Sequence, residues 1–224
     1  MGGTSRFDLA TPWGRFKAYW EFVWRDHAFL RLAFRNERWI GENLVRTNQP
    51  WPFQLEQWRD RGVRTVINLR GQSDASFHAL EEEACARLGL KLVSFPVRSH
   101  RALTCEQVMA AKAMFESIEY PALIHCKSGA DRVGVMSALY CHLQLGEPVE
   151  AALEQLSARH LHIREARAGV LSHMFRRYIE EGRAAGLSFL EWISGPTYCP
   201  QRLKAEFRPQ WWGMLITEGV IRRE

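Results

Sequence analysis

At 224 residues with a formal charge of +5 and a pI near 9.1, the chain is long enough to bury a core without disulfides or metals, as one domain with additions or two small ones. Hydrophobic residues at 46% and charged residues at 25% exclude a disordered chain, and no apolar run reaches the roughly eighteen residues that would nominate a membrane span. The basic balance favours anionic partners, whether phosphorylated substrate, anionic lipid or nucleic acid, without choosing among them.

In chain order, "MGGTSR" offers Gly2 but places Arg6 where an acylation signal needs Ser or Thr, so N-myristoylation is not expected. No basic-then-apolar leader is present, and a cytoplasmic protein is expected. Thr11-Pro12 reads as an N-cap with proline at the first helical position. Trp13, Phe16, Trp20, Val23, His27, Leu30 and Phe34 then recur at helical spacing, interleaved with Arg15, Lys17, Arg25, Arg31 and Arg35. The plainer reading packs this amphipathic stripe on the domain. The alternative lays it in a membrane interface, with residues 12–35 making peripheral contact with an anionic inner face.

From residue 40 the pattern alternates. "PFQLEQWRDRG" is a short helix ended by Gly62, "VRTVINL" a buried strand, "SFHALEEEACARLG" a helix closed by Gly89, and "LKLVSFPV" a strand. "TCEQ" is a capping box opening a helix to about Ile118; "ALIHC" is the next strand, and Arg132–Leu145 a helix stopped by Gly146. The rest reads as helical to about Gly186. Alternation of this kind implies an α/β fold, a central largely parallel sheet flanked by helices with an extra N-terminal amphipathic helix. The expected organisation is a helical extension at 1–39, the main domain at 40–186, and an aromatic helical extension at 187–224 packed on it.

The chemistry centres on "HCKSGADRVG". The five cysteines (Cys85, Cys105, Cys126, Cys141, Cys199) are widely spaced and form no CxxC pair, so buried thiols are expected for four of them. Cys126 differs: it stands where an apolar strand runs out, and ligands of open α/β sheets bind beyond strand carboxyl ends. Arg132 opens the following helix, whose N-terminus carries unpaired N–H groups and partial positive charge. A loop of Lys127, Ser128, Gly129, Ala130 and Asp131 can curl its amides into an anion cradle that favours a thiolate, and Arg132 adds a planar fork for two phosphate oxygens. The alternative is a buried cysteine and a surface arginine that never meet.

His-Cys-x-x-Gly-x-x-Arg resembles the signature loop of the cysteine-dependent protein tyrosine and dual-specificity phosphatases, and "RTNQP" (46–50) with "GVRTVINLRG" (62–71) is similar to their compact bacterial and plant-type members. The resemblance implies attack by Cys126 on phosphorus, a phosphocysteine hydrolysed by water, and stabilisation of both transition states by Arg132 and the loop amides. It implies His125 in support of the thiolate, and no cofactor or metal. Two departures stand out. Val133 occupies the position where that family usually has Ser or Thr, whose hydroxyl assists thiolate departure. The loop "PVRSHRALT" (96–104), where the family's acid aspartate is expected, has no carboxylate. Asp131 is the leading candidate for the acid, since an aspartate at this position serves so in myotubularin-type phosphatases; beside a thiolate and a phosphate dianion its protonated form is favoured. The alternative turns Asp131 outward to backbone or a neighbouring arginine. His100 is the second candidate, with Arg98 and Arg101 as substrate contacts. Lys127 is expected at the pocket mouth.

A weak acid favours leaving groups such as a phenolate (pKa about 10), a sugar anomeric hydroxyl or a diphosphate over an alkoxide. A basic pocket mouth, taken with the Trp/Arg-rich N-terminal helix and the aromatic tail, favours a lipid-linked phosphate. The expected substrate is a membrane lipid-linked phosphate or phosphotyrosine, and the competing reading is a catalytically marginal phosphate-binding module. His160 and His162 lack companion metal ligands at useful spacing. A nucleic-acid partner is not expected, because no recognition motif accompanies the charge.

Overall fold

A computed structural model describes residues 6–214. The sequence signal at Gly2 and the end of the aromatic tail lie outside those residues. The fold is α/β as expected, and the chain forms two compact units, one from the residues up to Pro96 with Glu119–Gly129, the other from Val97–Ile118 with the residues from Ala130 on.

The first unit carries α1 (Pro12–Trp24), α2 (Leu30–Ala33), β1 (Arg38–Ile40), β2 (Leu44–Thr47), α3 (Pro52–Asp60), β3 (Thr65–Asn68), α4 (Ser76–Leu88), β4 (Lys91–Ser94) and β5 (Ala122–His125). The strands form one sheet in the order β1-β2-β5-β3-β4. β1 runs antiparallel to β2 and the other neighbours are parallel. β2, β3 and β5 are buried at every position, as strands covered on both faces must be. One core cluster joins Val45, Val66 and Leu123 of the sheet to Leu55 and Trp58 of α3 and Ala84, Cys85 and Leu88 of α4. Burial pushes the Cys85 thiol far above its ordinary range, which makes it an inert core residue.

The second unit is helical: α5 (Cys105–Ser117), α6 (Asp131–Leu143), α7 (Val149–Ala152), α8 (Val170–Arg177), α9 (Phe189–Ser194), α10 (Pro200–Glu206) and α11 (Trp211–Met214). The expected box opens α5, with Thr104 Oγ1 accepting from the Gln107 amide at 3.2 Å and the Gln107 side chain returning to the Thr104 amide at 3.0 Å. α6 is buried along nearly its whole length, and Tyr140 meets Phe115 of α5 edge to face at 5.3 Å. The helix expected to run to Gly186 widens at Tyr178, where a π-helical stretch (Tyr178–Arg183) follows α8. Phe189 of α9 stacks on Phe175 of α8 at 5.4 Å.

The N-terminal stripe requires correction. Thr11 caps α1 as expected, its Oγ1 accepting from the Gly14 amide, but the helix stops at Trp24 and His27 takes φ +55°. The stripe is therefore two faces of two short helices. The packed face of α1 is the opposite one: Ala18 and Phe22 are buried against Leu80 of α4 and Ala28. Trp13, Phe16, Trp20 and Trp24, which share the other face, are each more than half exposed.

Candidate active site

β5 lies centrally, and its last residue, His125, pairs across the ladder with Thr47 of β2 and Asn68 of β3. Cys126 therefore follows directly from a point where three parallel strands end together. Cys126 and His125 are both buried. Behind them sits a carboxylate that sequence reasoning passed over. Glu81 of α4 is 2% exposed and accepts from Gln49 Nε2 at 2.8 Å and Asn68 Nδ2 at 2.6 Å, while its Oε1 lies 2.7 Å from His125 Nε2. A buried carboxylate needs such donors to offset its lost hydration.

The loop itself is braced from "RTNQP". Gly129 has φ +73°, and a Cβ there would lie 2.8 Å from both Asn48 N and Thr47 C. Only glycine meets both demands. The Gly129 carbonyl accepts from Arg46 Nη2 and from Asn36 Nδ2, each at 2.9 Å, and the Lys127 carbonyl accepts from the Gln49 amide at 3.3 Å. Arg46 is fully buried. This segment, met in the sequence only as a likeness, thus has a physical role, which is to hold the loop's main chain from beneath.

Lys127 is drawn inward more than a mouth residue would be. Its Nζ lies 4.0 Å from Asp26 Oδ1 and its side chain is 15% exposed. Asp26 also takes Arg70 on both carboxylate oxygens, at 2.7 and 3.0 Å, and Arg31 Nη2 at 2.6 Å. Burial alone would raise the Asp26 pKa, but the Arg70 hydrogen bond and the charges of Arg70, Arg31 and Lys127 outweigh it and hold the carboxyl below its ordinary value. Arg70 continues to Gln49 Oε1 at 3.1 Å, so a polar chain runs Asp26–Arg70–Gln49–Glu81–His125.

The chain passes from the first unit to the second between Gly129 and Ala130. Ala130 precedes α6, which opens on Asp131 and carries Arg132 in its first turn; acidic charge there is favoured by the helix dipole. Arg132 is half-buried and Val133 fully buried. Asp131 is 8% exposed, and its Oδ1 lies 2.8 Å from His162 Nδ1, an inward pairing that neither sequence reading anticipated. Among the described residues no group of acidic, histidine and cysteine side chains is arranged to hold a metal. Arg98 and Arg101 are exposed and His100 is half-buried, all on the loop before α5. Ser128 is half-buried on the signature loop.

The family described as "DSP-PTPase phosphatase fused to NAD+ Kinase" matches residues 42–176. No curated protein matches the chain. Among solved structures, the chain is similar to P. aeruginosa TpbA at 18% identity, covering 71% of this chain and 88% of that one with a TM-score of 0.53. It is similar to a putative phosphatase from Shewanella putrefaciens CN-32 at 22% identity, covering 67% and 97% with a TM-score of 0.51. The active form of Tk-PTP gives 17% identity, 65% and 97% coverage and a TM-score of 0.51. At such identities these three likenesses speak for the fold.

Proposed function

The chain belongs to the family of "DSP-PTPase phosphatase fused to NAD+ Kinase", and from that premise we propose that it is a phosphomonoester hydrolase in which Cys126 is the nucleophile. The sulfur attacks phosphorus and the leaving oxygen departs, giving a phosphocysteine; water then cleaves the P–S bond. Arg132 and the main-chain amides of Lys127, Ser128, Gly129, Ala130 and Asp131 hold the phosphoryl oxygens. His125, backed by Glu81, positions the sulfur, and Asp131 gives its proton to the leaving oxygen and takes one from water in the second step.

The observation that carries this reading is the bracing of the loop immediately after Cys126, where a glycine with φ +73° is clamped by its carbonyl and backed against Thr47–Asn48. Such fixed main chain is what oxyanion-type stabilisation requires. Turnover of p-nitrophenyl phosphate by the full chain, abolished by Cys126→Ser and by Arg132→Lys, is the expected result, because serine is not a thiolate and lysine lacks the planar fork. Turnover surviving Cys126→Ser would sink the assignment. The second reading, a phosphate-binding module with marginal catalysis, is favoured by the buried Val133; binding of inorganic phosphate without turnover would decide for it.

For the substrate, a membrane lipid-linked phosphate is preferred to phosphotyrosine. Trp13, Phe16, Trp20 and Trp24 offer an aromatic face, Lys17 lies over the Trp13 ring at 5.2 Å, and Arg25 is largely exposed beside them. Aromatic rings with cationic side chains suit the interface of an anionic bilayer. Co-sedimentation with phosphatidylglycerol-containing vesicles, weakened by Trp13→Ser with Trp20→Ser, tests the membrane arm; both residues lie off the packed face of α1. Equal recovery in the supernatant with and without vesicles rejects it. Competition between a phosphotyrosine peptide and a phospholipid monoester then ranks the substrates.

A further inference from the structure

In the second unit, Asp131 is the first member of a buried hydrogen-bonded chain. Its Oδ1 lies 2.8 Å from His162 Nδ1, His162 Nε2 lies 3.2 Å from Ser172 Oγ, and Ser172 Oγ donates to the Gly169 carbonyl at 3.0 Å. His162 is 1% exposed and Ser172 is equally buried. The chain crosses from the start of α6 to the first turn of α8, and every link is within hydrogen-bond range.

A hydroxyl has one hydrogen, and the distances admit two placements of it. Ser172 Oγ is within range of both the Gly169 carbonyl and His162 Nε2. With its hydrogen on the carbonyl, its oxygen accepts from a protonated Nε2; with its hydrogen on Nε2, the ring proton lies on Nδ1, against Asp131. In the first placement a neutral ring leaves Nδ1 a bare lone pair facing Asp131 at 2.8 Å. A carboxylate there would be two acceptors in contact, so the contact is satisfied only when one further proton lies between Asp131 and His162, either as a carboxylic acid donating to Nδ1 or as an imidazolium donating to the carboxylate. Both descriptions give the pair the same charge and the same proton count. The first placement is the reverse of the arrangement in which a serine gives its proton to a histidine and becomes a nucleophile.

We propose that the first placement holds and that His162 is a positioning residue for proton transfer, holding Asp131 in place and keeping on the Asp131–His162 pair the one proton that the leaving oxygen requires. The inference rests on the phosphatase reading with Asp131 as the acid. In the first step the Cys126 S–P bond forms, the P–O bond to the leaving group breaks, and the pair's proton passes through the Asp131 carboxyl to the departing oxygen. What remains is a carboxylate against a ring nitrogen lone pair. In the second step the water oxygen bonds to phosphorus, the P–S bond breaks, sulfur leaves as thiolate, and the water's proton restores the pair. One proton leaves and one returns, and no further reactant is needed. Ser172 sustains this only while its hydrogen stays on the Gly169 carbonyl, since a ring with its proton turned inward to Nδ1 would satisfy a carboxylate without storing anything.

Two measurements on the full chain test this. Nitrogen-15 NMR of the histidine rings reads the tautomer directly: a protonated His162 Nε2 at neutral pH is expected, and an unprotonated Nε2 overturns the proposal. The second compares p-nitrophenyl phosphate with benzyl phosphate, whose alkoxide needs protonation far more. His162→Gln is expected to lower kcat on benzyl phosphate about ten- to a hundredfold, the scale for losing a group that orients a catalytic one, with a much smaller loss on p-nitrophenyl phosphate. The double variant with Asp131→Asn should be no slower than Asp131→Asn alone. Equal losses on both substrates, or multiplied losses in the double variant, overturn it. Should His162→Gln fail to fold, Ser172→Ala, which removes the acceptor for Nε2 and the donor to the Gly169 carbonyl, takes its place in the same comparison. A native chain inactive on both substrates overturns the phosphatase reading and this inference with it. A native chain active on both, with Cys126→Ser inactive, upholds that reading whatever His162 does.

Discussion

Gly129→Ala isolates how much of the loop's geometry depends on one missing methyl group. Two costs are separable. The first is conformational: φ is +73°, and an L-residue held in the left-handed region costs about 1–2 kcal/mol. The second is steric. The new Cβ would lie 2.8 Å from Asn48 N and Thr47 C and 2.9 Å from Thr47 O, all of them backbone, so no flexible side chain can swing away. Forcing such a contact costs about 1–3 kcal/mol if the loop stays. Gly89 supplies the reference, since its φ is +68° and nothing lies within 4 Å of the Cβ it would gain. Gly89→Ala is therefore expected to lose about 1–2 kcal/mol, and with it a few degrees in Tm at roughly 2–4 °C per kcal/mol for a chain of this size. Gly129→Ala should lose about 1–3 kcal/mol more, or else keep its stability by displacing the loop. Displacement shows in kcat on p-nitrophenyl phosphate, where a shift near 1 Å at reacting groups costs about 10²-fold. Thermal unfolding and steady-state kinetics on the two variants decide. Equal Tm and equal kcat for both alanine variants would refute the claim that Thr47–Asn48 support the loop.

Asp26→Asn should destabilise the fold by about 3–5 kcal/mol at neutral pH, because Arg31 and Arg70 lose a buried counter-charge. The folded pKa of Asp26 is held below its ordinary 3.8, so its stabilisation is complete above that value and is lost as pH falls through the folded value; urea midpoints of native and variant should differ at neutral pH and converge in acid, and a gap that widens in acid contradicts the network. Arg46→Met removes one of two donors to the Gly129 carbonyl and should lower kcat more than it raises KM, since the loop loses definition and no group that binds substrate is removed. Val133→Thr restores the hydroxyl and should speed breakdown of the phosphocysteine, seen as a smaller burst in rapid-mix kinetics; burying that hydroxyl costs about 1–3 kcal/mol if it finds no partner, read as a lower Tm.

Most of the framework was legible because it rests on local rules. The apolar runs at 63–69 and 122–126 and the stops at Gly62, Gly89 and Gly146 are written in residue type, and the three glycines do take positive φ. Thr104 and Gln107 formed the box their spacing called for. The β1–β2 hairpin was missed because strands of three and four residues give too little alternation to register. The stripe through Phe34 misled because helical spacing says which residues share a face and not which face is buried; Ala18 and Phe22 fit against Leu80, and the larger aromatics were left outside. At the site, the cysteine and the arginine announce themselves by motif. Their supports do not. Glu81, Asp26 and His162 belong to distant stretches, and each was readable only as an ordinary charged or ring residue until the fold brought it to Gln49, Arg70 or Asp131. His162 in particular lacks the companion ligands by which a metal site is read from sequence, and its actual partner is one carboxylate contributed by the signature loop.

Beneath that loop the polar groups form a sequence of buried dependencies. Each donor in Asp26–Arg70–Gln49–Glu81 meets its acceptor, His125 Nε2 lies 2.7 Å from Glu81 Oε1, and the Arg70 guanidinium is further covered by the Phe77 ring, 3.3 Å from its centroid. Removing any one member leaves its neighbour buried and unmatched, which costs more than the bond itself was worth. The chain begins at Asp26, before the matched family residues 42–176, and ends on the histidine that precedes the nucleophile. The residues before 42 thus contribute to this polar chain. They supply a carboxylate that faces Arg31, Arg70 and Lys127 together. The same segment presents the aromatic face of α1.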